Sequence, residues 1–482
     1  MIRNPRAELL VIFLLVVAMG TAYWVTLRPG QDWGGDFAQY VNHARNIAQG
    51  RPYAETRYEI TLPEAAIHMP ATYPPVFPLL LAPVYSRFGL NYTPMKLVVQ
   101  LMFLLAAVTV YVLGRIRGLG LAEAAVSAAA FALSGLVLAL KDLILSDSTY
   151  LAFAGAALCA VLAVEKNRWD EKKPLLAAFA VAALMLLAYA SRAIGMALPL
   201  SFVLYEALVK RRIRAFNVAV LVFFAAGALF LSFSLYDARA YRSQFPVNPA
   251  GYFHNVLYYL RSPAALWHGA PVWLRYPLFA ASALLALAAW LRRIVTQPTM
   301  VEAYLVVVTV AVLAYSLGQS DRYLLPVLAL YFLYSLEGLR WLGSGVGIHS
   351  WPSLAFCATL LLGVGYNLRS LERGPFQEGV EQPAFLELAA YLQKQVNPDQ
   401  LVISWNPRVI ALYTNRRSAW YPETSDQAVF DAYLSRTGAA YVLVHSTGEE
   451  DQRWLEPHVA KHPDRFTEIF HNADFMLYRC VF

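Results

Sequence analysis

A bundle of about eleven membrane-spanning helices, followed by a small extracytoplasmic α/β domain, is the fold class this sequence predicts. Three observations predict it. The chain is 58% hydrophobic and only 15% charged, against roughly 25% charged in soluble domains. Apolar runs long enough to cross a bilayer, about 17 to 20 residues each, recur along its first three quarters. From about residue 381 the composition shifts to that of a water-soluble α/β unit.

The runs place spans near 9–28, 95–114, 121–140, 149–164, 174–190, 193–209, 215–236, 275–291, 301–318, 323–338 and 350–368. The first is long for a signal-peptide core and lacks a small-x-small cleavage site, so it reads as a retained anchor. Lys and Arg set the orientation. With the N-terminus cytoplasmic, one side collects Arg3, Arg6, Arg115, Arg117, Lys166 to Lys173, Lys210 to Arg214, Arg292, Arg293 and Arg340. The short links on the other side hold only Lys141, Arg192 and Arg322. The net charge of +7 therefore points to lipid headgroups rather than nucleic acid. The expected organisation is a membrane domain over 1–368, with outer loops at 29–94 and 237–274, and an extracytoplasmic domain over 369–482. A prokaryotic inner membrane is the expected location. Three cysteines, two of them inside apolar runs, give no disulfide framework.

The first outer loop opens with Asp32-Trp-Gly-Gly-Asp36-Phe-Ala-Gln-Tyr40-Val-Asn-His43. Gly34-Gly35 breaks the first span, and Asp36 stands where a helix N-cap belongs. A helix over 37–49 puts Asp36, Tyr40 and His43 on one face, and Gly50 with Pro52 ends it. Further on, Tyr73-Pro-Pro-Val-Phe-Pro-Leu-Leu-Leu-Ala-Pro-Val-Tyr85 is apolar but too interrupted to span, and suits the membrane interface. The 237–274 loop, with Tyr241, Tyr252, Tyr258, Tyr259, Trp267 and Trp273, reads the same way.

In the C-terminal region, 383–395, 407–413, 425–437 and 450–464 read as helices. Strands are expected at 401–405, 418–421, 440–445, 468–470 and 475–480. No glycine-rich phosphate loop, paired-Cys pattern or Gly-x-Ser-x-Gly elbow occurs there, so a cap or an acceptor-side role is expected.

No ionisable residue falls mid-span, which argues against a proton- or ion-coupled transporter. The outer connections carry them instead: Asp36; Lys141-Asp142 with Ser146-Asp147; Ser191-Arg192; and Ser320-Asp321-Arg322-Tyr323. Each also has an ordinary structural reading. Asp147 would cap the fourth span. Arg192 and Arg322 would anchor headgroups. Asp321 and Arg322 would form a surface pair, and His43 would sit on a polar helix face.

The order of short motifs resembles the GT-C superfamily of membrane glycosyltransferases, in the branch of aminoarabinose transferases and protein O-mannosyltransferases. These motifs are Gly-Gly-Asp36-Phe-x-x-Tyr40 with Gly50-x-Pro-Tyr53, Tyr73-Pro-Pro-x-x-Pro-Leu, Leu145-Ser-Asp147, Ser191-Arg192, Arg322-Tyr323-Leu-Leu-Pro and Val409-Ile-Ala-Leu-Tyr-Thr-Asn-Arg416. One departure is Thr72-Tyr73, where many relatives carry His or Lys before the Pro-Pro pair. The resemblance implies transfer of a hexose or pentose from a polyprenyl-phosphate donor to a lipid, glycan or protein acceptor at the outer face. Asp36 would be the general base of an inverting displacement, with Asp147 as a second catalytic carboxylate. Arg192 and Arg322 would meet the donor phosphate, and Tyr40, His43, Tyr53, Tyr73 and Tyr323 would line the substrate. Asp36 and Asp147 are also candidate ligands of a divalent Mg or Mn ion, since one or two carboxylates plus substrate oxygens suffice. Two other classes fit the topology: a flippase or exporter of lipid-linked sugars, and a non-catalytic envelope-assembly protein.

Overall fold

The computed structural model describes residues 5–235, 249–261, 272–315, 320–345 and 351–481. Tyr241, Trp267 and most of the 237–274 loop lie outside the described residues. The chain divides into two compact units. One comprises Met1–Leu27, Lys96–Ser234 and Tyr241–Arg373; the other comprises Arg28–Met95 and Gly374–Phe482 with the short Leu235–Ala240 segment. Toward the C-terminus the chain passes from the first unit to the second after Arg373. The first outer loop, expected to belong with the spans, is grouped with the C-terminal residues.

Among the described residues of the whole chain, six helices are long and apolar enough to cross a membrane: Pro5–Val25, Tyr92–Ile116, Asp147–Asn167, the Ala193–Lys210 stretch, Ala215–Ser234 and Val272–Thr296. Leu121–Ala132, Pro174–Tyr189 and Met300–Ala314 are shorter and apolar. Leu325–Gly345 and Trp351–Ser370 complete the set of long helices in the membrane unit. One expected span, 121–140, is broken. Ser134 Oγ accepts the Val137 N–H at 3.3 Å and starts a separate helix at Gly135, a serine competing with helix continuation as a cap.

Charge in this unit is buried in pairs, gathered among the arginines expected on the cytoplasmic side. Glu8 takes Arg115 at 2.7 Å, and Arg117 lies between Glu302 (3.0 Å) and Glu337 (2.6 Å), which also holds Arg293. Such groups must be paired to leave water at all. Lys141 and Asp142, expected at the outer surface, are buried together at 2.6 Å. Lys141 also donates to the Thr26 carbonyl, and Gln100 donates to Asp142.

The second unit is built on a sheet. Its strands are β1 (Tyr58–Glu59), β2 (Leu401–Ile403), β3 (Arg417–Ala419), β4 (Ala439–His445), β5 (Phe466–His471) and β6 (Phe475–Cys480). They lie in the order β1-β3-β2-β4-β6-β5, parallel from β1 to β4 and antiparallel thereafter. β2 and most of β4 are buried runs, as parallel strands covered on both faces require. They pack with Tyr421, Phe430, Leu434 and Leu455 in one apolar core. The sequence reading missed β1, because two residues carry no period. Its register on β3 pairs Tyr58 with Ser418 and Glu59 with Ala419, which makes the outer loop the sheet's edge strand.

A second seam joins the same two segments of chain. Val380 N–H donates to the Gln31 carbonyl at 3.0 Å and Phe376 N–H to the Pro29 carbonyl at 3.2 Å. The approach is close enough to need glycine beside it, since a Cβ on Gly379 would stand 2.1 Å from the Gln31 oxygen.

Phe430 is fully buried in the core of this unit. Phe430→Ala is expected to cost about 3–5 kcal/mol and to expose Gly374–Phe482 to limited proteolysis, leaving the membrane helices resistant. Unchanged protease protection would contradict that packing.

Candidate functional site

The Gly35–Ala48 helix is the frame of the site in the second unit. Gly34, not Asp36, is its N-cap residue, so Asp36 lies within the first turn, where the helix dipole favours a carboxylate. A Cβ on Gly35 would stand 3.2 Å from Asn406 Oδ1, and Asn406 also donates to the Trp33 carbonyl. The helix is enclosed: every residue from Phe37 to Asn46 is buried. It packs against the Val76–Phe88 helix through Tyr40 and Phe77, whose rings meet edge-on at 5.0 Å. The Pro407–Thr414 helix lies against it as well, where Arg45 donates to the Leu412 carbonyl at 3.1 Å.

Asp36, Tyr40 and His43 do share a face, and they converge on one residue, Tyr73. The Tyr73 hydroxyl donates to Asp36 Oδ1 at 2.5 Å. The Tyr40 ring packs on the Tyr73 ring at 4.7 Å. The Tyr73 N–H donates to His43 Nε2 at 3.2 Å. His43 Nδ1 lies 2.8 Å from the Tyr53 carbonyl, so Nδ1 carries the proton and Nε2 accepts. Tyr53 stacks on His43 at 4.1 Å and donates its hydroxyl to the Tyr73 carbonyl at 2.7 Å. His43 and Tyr53, expected to line substrate, thus spend their polar atoms on backbone and hold the loop in shape. Burial pushes the His43 imidazole down to about 3 and the Tyr53 phenol well above its usual range.

The residue that sequence reasoning missed is Arg408. It is fully buried, the largest side chain so enclosed. Its Nη1 donates to the Tyr73 oxygen at 2.7 Å and its Nη2 to the Pro70 carbonyl at 2.7 Å. The guanidinium carbon lies 4.8 Å from the Tyr73 ring centre and 5.2 Å from that of Tyr58, and Nη1 is 3.6 Å from Asp36 Oδ1. Burial alone would favour its neutral form. Tyr73, Tyr58 and Asp36 outweigh that and hold it protonated, above its ordinary value. Tyr73 is therefore polarised from one side by a cation and hydrogen-bonded to a partly exposed carboxylate on the other. A signal did exist: an arginine in a helix's first turn, right after Pro407, opposes the helix dipole and calls for an acid nearby.

The membrane unit holds the other expected residues. Asp147 and Arg192, read separately from sequence, form one ion pair at 2.5 Å, both largely buried. Asp147 is not a cap; Ser146 occupies that position. Arg192 and Arg322 both act electrostatically on the Tyr315 phenol. Tyr315 meets Tyr323 edge-on at 5.0 Å, and the Arg322 guanidinium carbon lies 5.3 Å from the Tyr323 ring centre. Asp321, in the same short turn, accepts from the Tyr258 hydroxyl at 3.2 Å. Asp321 and Leu324 also line a cavity of about 520 Å³, otherwise walled by Tyr259, Phe279, Leu328 and Tyr331 among other side chains, with Asp321 its single carboxylate among the described residues.

Asp36 and Asp147, the expected holders of a divalent ion, each face an arginine within their own unit.

No family model matches the chain, and no curated protein sequence matches it. Solved structures do. ArnT from Cupriavidus metallidurans bound to undecaprenyl phosphate superposes with a TM-score of 0.61 at 16% identity, over 98% of each chain. The Archaeoglobus fulgidus oligosaccharyltransferase in its apo form gives 0.58 at 13% identity, over 92% of this chain and 70% of that one. Oligosaccharyltransferase AglB from the same archaeon, in complex with an inhibitory peptide and a dolichol-phosphate, gives 0.55 at 14% identity, over 96% and 72%. The fold is GT-C-like, and the chain is an integral membrane protein.

The His43 arrangement sets a pH dependence. In the unfolded chain this imidazole titrates near 6.5 and in the folded one near 3, so between those values the unfolded state binds the extra proton. Stability is full above about pH 6.5 and falls as the pH drops toward 3. At pH 5 the loss is about 2 kcal/mol, at ~1.36 kcal/mol per unit. Hydrogen exchange of the 70–76 segment should accelerate accordingly on acidification, and His43→Gln should flatten the response. A wild-type profile as flat as the variant's would refute the neutral, doubly bonded imidazole.

Proposed function

We propose that this chain transfers a sugar from a polyprenyl-phosphate donor to an acceptor nucleophile on the extracytoplasmic side of the membrane. The observation that carries the reading is the Asp36 carboxylate, partly exposed yet fixed by the Tyr73 hydroxyl that buried Arg408 holds in turn. A general base needs both properties: access to a proton and a fixed direction. The GT-C-like fold and the lipids named in its structural neighbours support the donor class. A polyprenyl phosphate in the ArnT structure and a dolichol-phosphate in the AglB structure match in kind the apolar cavity beside Arg322.

In the proposed step the acceptor X–H gives its proton to Asp36 as X forms a bond to the anomeric carbon. The bond from that carbon to the phosphate oxygen breaks, and polyprenyl phosphate leaves carrying its electron pair. A single displacement inverts the anomeric centre. Negative charge grows on the phosphate, and Arg322, with Arg192, is assigned to meet it. Tyr73 keeps Asp36 oriented rather than contacting sugar, a role different from the substrate contact expected for it. Tyr40 backs the Tyr73 ring, and Tyr323 flanks Arg322. No step is routed through a metal. Eleven crossings, with a cytoplasmic N-terminus and an extracytoplasmic second unit in a prokaryotic inner membrane, complete the proposal.

Asp36→Asn is expected to lower transfer by about 10²- to 10⁴-fold while elution and thermal unfolding stay unchanged. Mass spectrometry of lipids co-purifying with the two proteins tests donor class and stall together. Polyprenyl phosphate should accompany the wild type and its glycosylated form the Asn variant. An active, folded Asn variant removes Asp36 from the base role, and bulk phospholipid alone in both samples removes the donor assignment.

Arg322→Gln should raise the donor KM at least about tenfold, the loss of one charge-assisted contact. Unchanged donor kinetics would take Arg322 out of phosphate binding.

A further inference from the structure

The reading above leaves unused one set of side chains in the C-terminal sheet domain. His458 lies on the Glu456–Lys461 helix, His462 follows that helix directly, and Asp431 lies on the Gln427–Thr437 helix. The four-residue spacing places the two imidazoles on one helical face, their ring centres 5.4 Å apart. One ligand atom from each of the three residues falls within 4.8 Å of the others.

The polar balance of this cluster is incomplete. His458 is 1% exposed, yet neither ring nitrogen has a hydrogen-bond partner among the described residues. Its Nε2 is 3.3 Å from Asp431 Oδ1, a contact not aligned as a hydrogen bond, and that oxygen is buried and unbonded too. Buried polar atoms in native proteins are satisfied in about nine cases out of ten, so His458 Nε2 and Asp431 Oδ1, facing each other without a hydrogen bond, call for a partner. The His458 ring cannot swing away to find one. It is stacked on Phe430 at 4.2 Å and closed off edge-on by Phe466 at 5.8 Å. Asp431 is oriented from behind, where Arg465 Nη1 donates to Oδ2 at 2.8 Å and leaves Oδ1 pointing inward. A ligating carboxylate is commonly held by such an outer partner.

We infer that Asp431, His458 and His462 form a binding site for a borderline transition-metal dication, Zn²⁺ above all, that pins the end of the Glu456–Lys461 helix to the Gln427–Thr437 helix. Two imidazoles and one carboxylate select Zn²⁺ over Mg²⁺ or Ca²⁺, which favour all-oxygen shells. Three protein ligands leave the fourth tetrahedral position to solvent. The site stands apart from the proposed chemistry, since it uses neither Asp36 nor Asp147.

The test uses the full chain in detergent, stripped with a chelator, reloaded with Zn²⁺ and desalted, its metal content then read by plasma mass spectrometry. One Zn²⁺ per chain is expected. Competition against a chromophoric chelator should show a loss of affinity of at least about tenfold in His462→Gln and in Asp431→Asn. Both positions are partly exposed, so these variants should fold, with unfolding in the presence of chelator matching the stripped wild type. Co²⁺ in place of Zn²⁺ should give the visible absorption of a tetrahedral site in the wild type alone. Asp36→Asn should retain the metal. No stoichiometric uptake, uptake unchanged in both site variants, or uptake lost with Asp36→Asn would each overturn the assignment.

Discussion

A guanidinium removed from water fixes more of the second unit than any other single group. A buried guanidinium calls for partners to its charge and its donors, and those Arg408 has come from the first outer loop: the Tyr73 oxygen, the Pro70 carbonyl, the Tyr58 and Tyr73 rings, and Asp36 at 3.6 Å, while its Nε has none among the described residues. The C-terminal residues and the outer loop are therefore one folding unit for an electrostatic reason as well as a topological one. β1 on the sheet edge and the Gly379 crossing reinforce the same join. The acid proposed as base is then held by the unit expected to be merely a cap.

Tyr73 shows how such a constraint becomes a geometry. Five side chains hold four parts of it: Arg408 and Asp36 its oxygen, Tyr40 its ring, His43 its amide and Tyr53 its carbonyl. A residue so over-determined cannot change rotamer without breaking several contacts together. Asp36 inherits that rigidity through one short hydrogen bond. Preorganisation of this sort spares reorganisation when a proton moves. It also explains why His43 must remain neutral: a proton on Nε2 would turn the acceptor of the Tyr73 N–H into a second donor.

The membrane unit follows a different rule. Its buried acids and bases are matched nearly one to one, Glu8 with Arg115, Glu302 and Glu337 around Arg117, Lys141 with Asp142 and Asp147 with Arg192. Paired charges of this kind seat helices against one another. Arg322 also meets the Tyr323 hydroxyl, and the turn that carries it lines an apolar cavity.

Much of this was legible in the sequence. Apolar runs located the membrane helices, because a stretch of about 20 residues without charge has no other stable setting. Alternation and turn residues located most of the C-terminal elements, since local period follows which face is buried. The i, i+4, i+7 spacing put Asp36, Tyr40 and His43 on one face. What the sequence could not determine were pairings across long separations: Tyr58 with Ser418, Arg408 with Tyr73, Asp147 with Arg192, His458 with Asp431. A buried charge and an exposed one are the same letter, and only tertiary structure decides which water is removed. So Lys141 and His43 read as surface residues and are buried, and Arg408 drew no notice although a chain of contacts begins there. The sequence by itself determined most of the elements and the lipid setting. The tertiary structure decided which polar groups had to find one another, because that demand arises only when solvent is excluded.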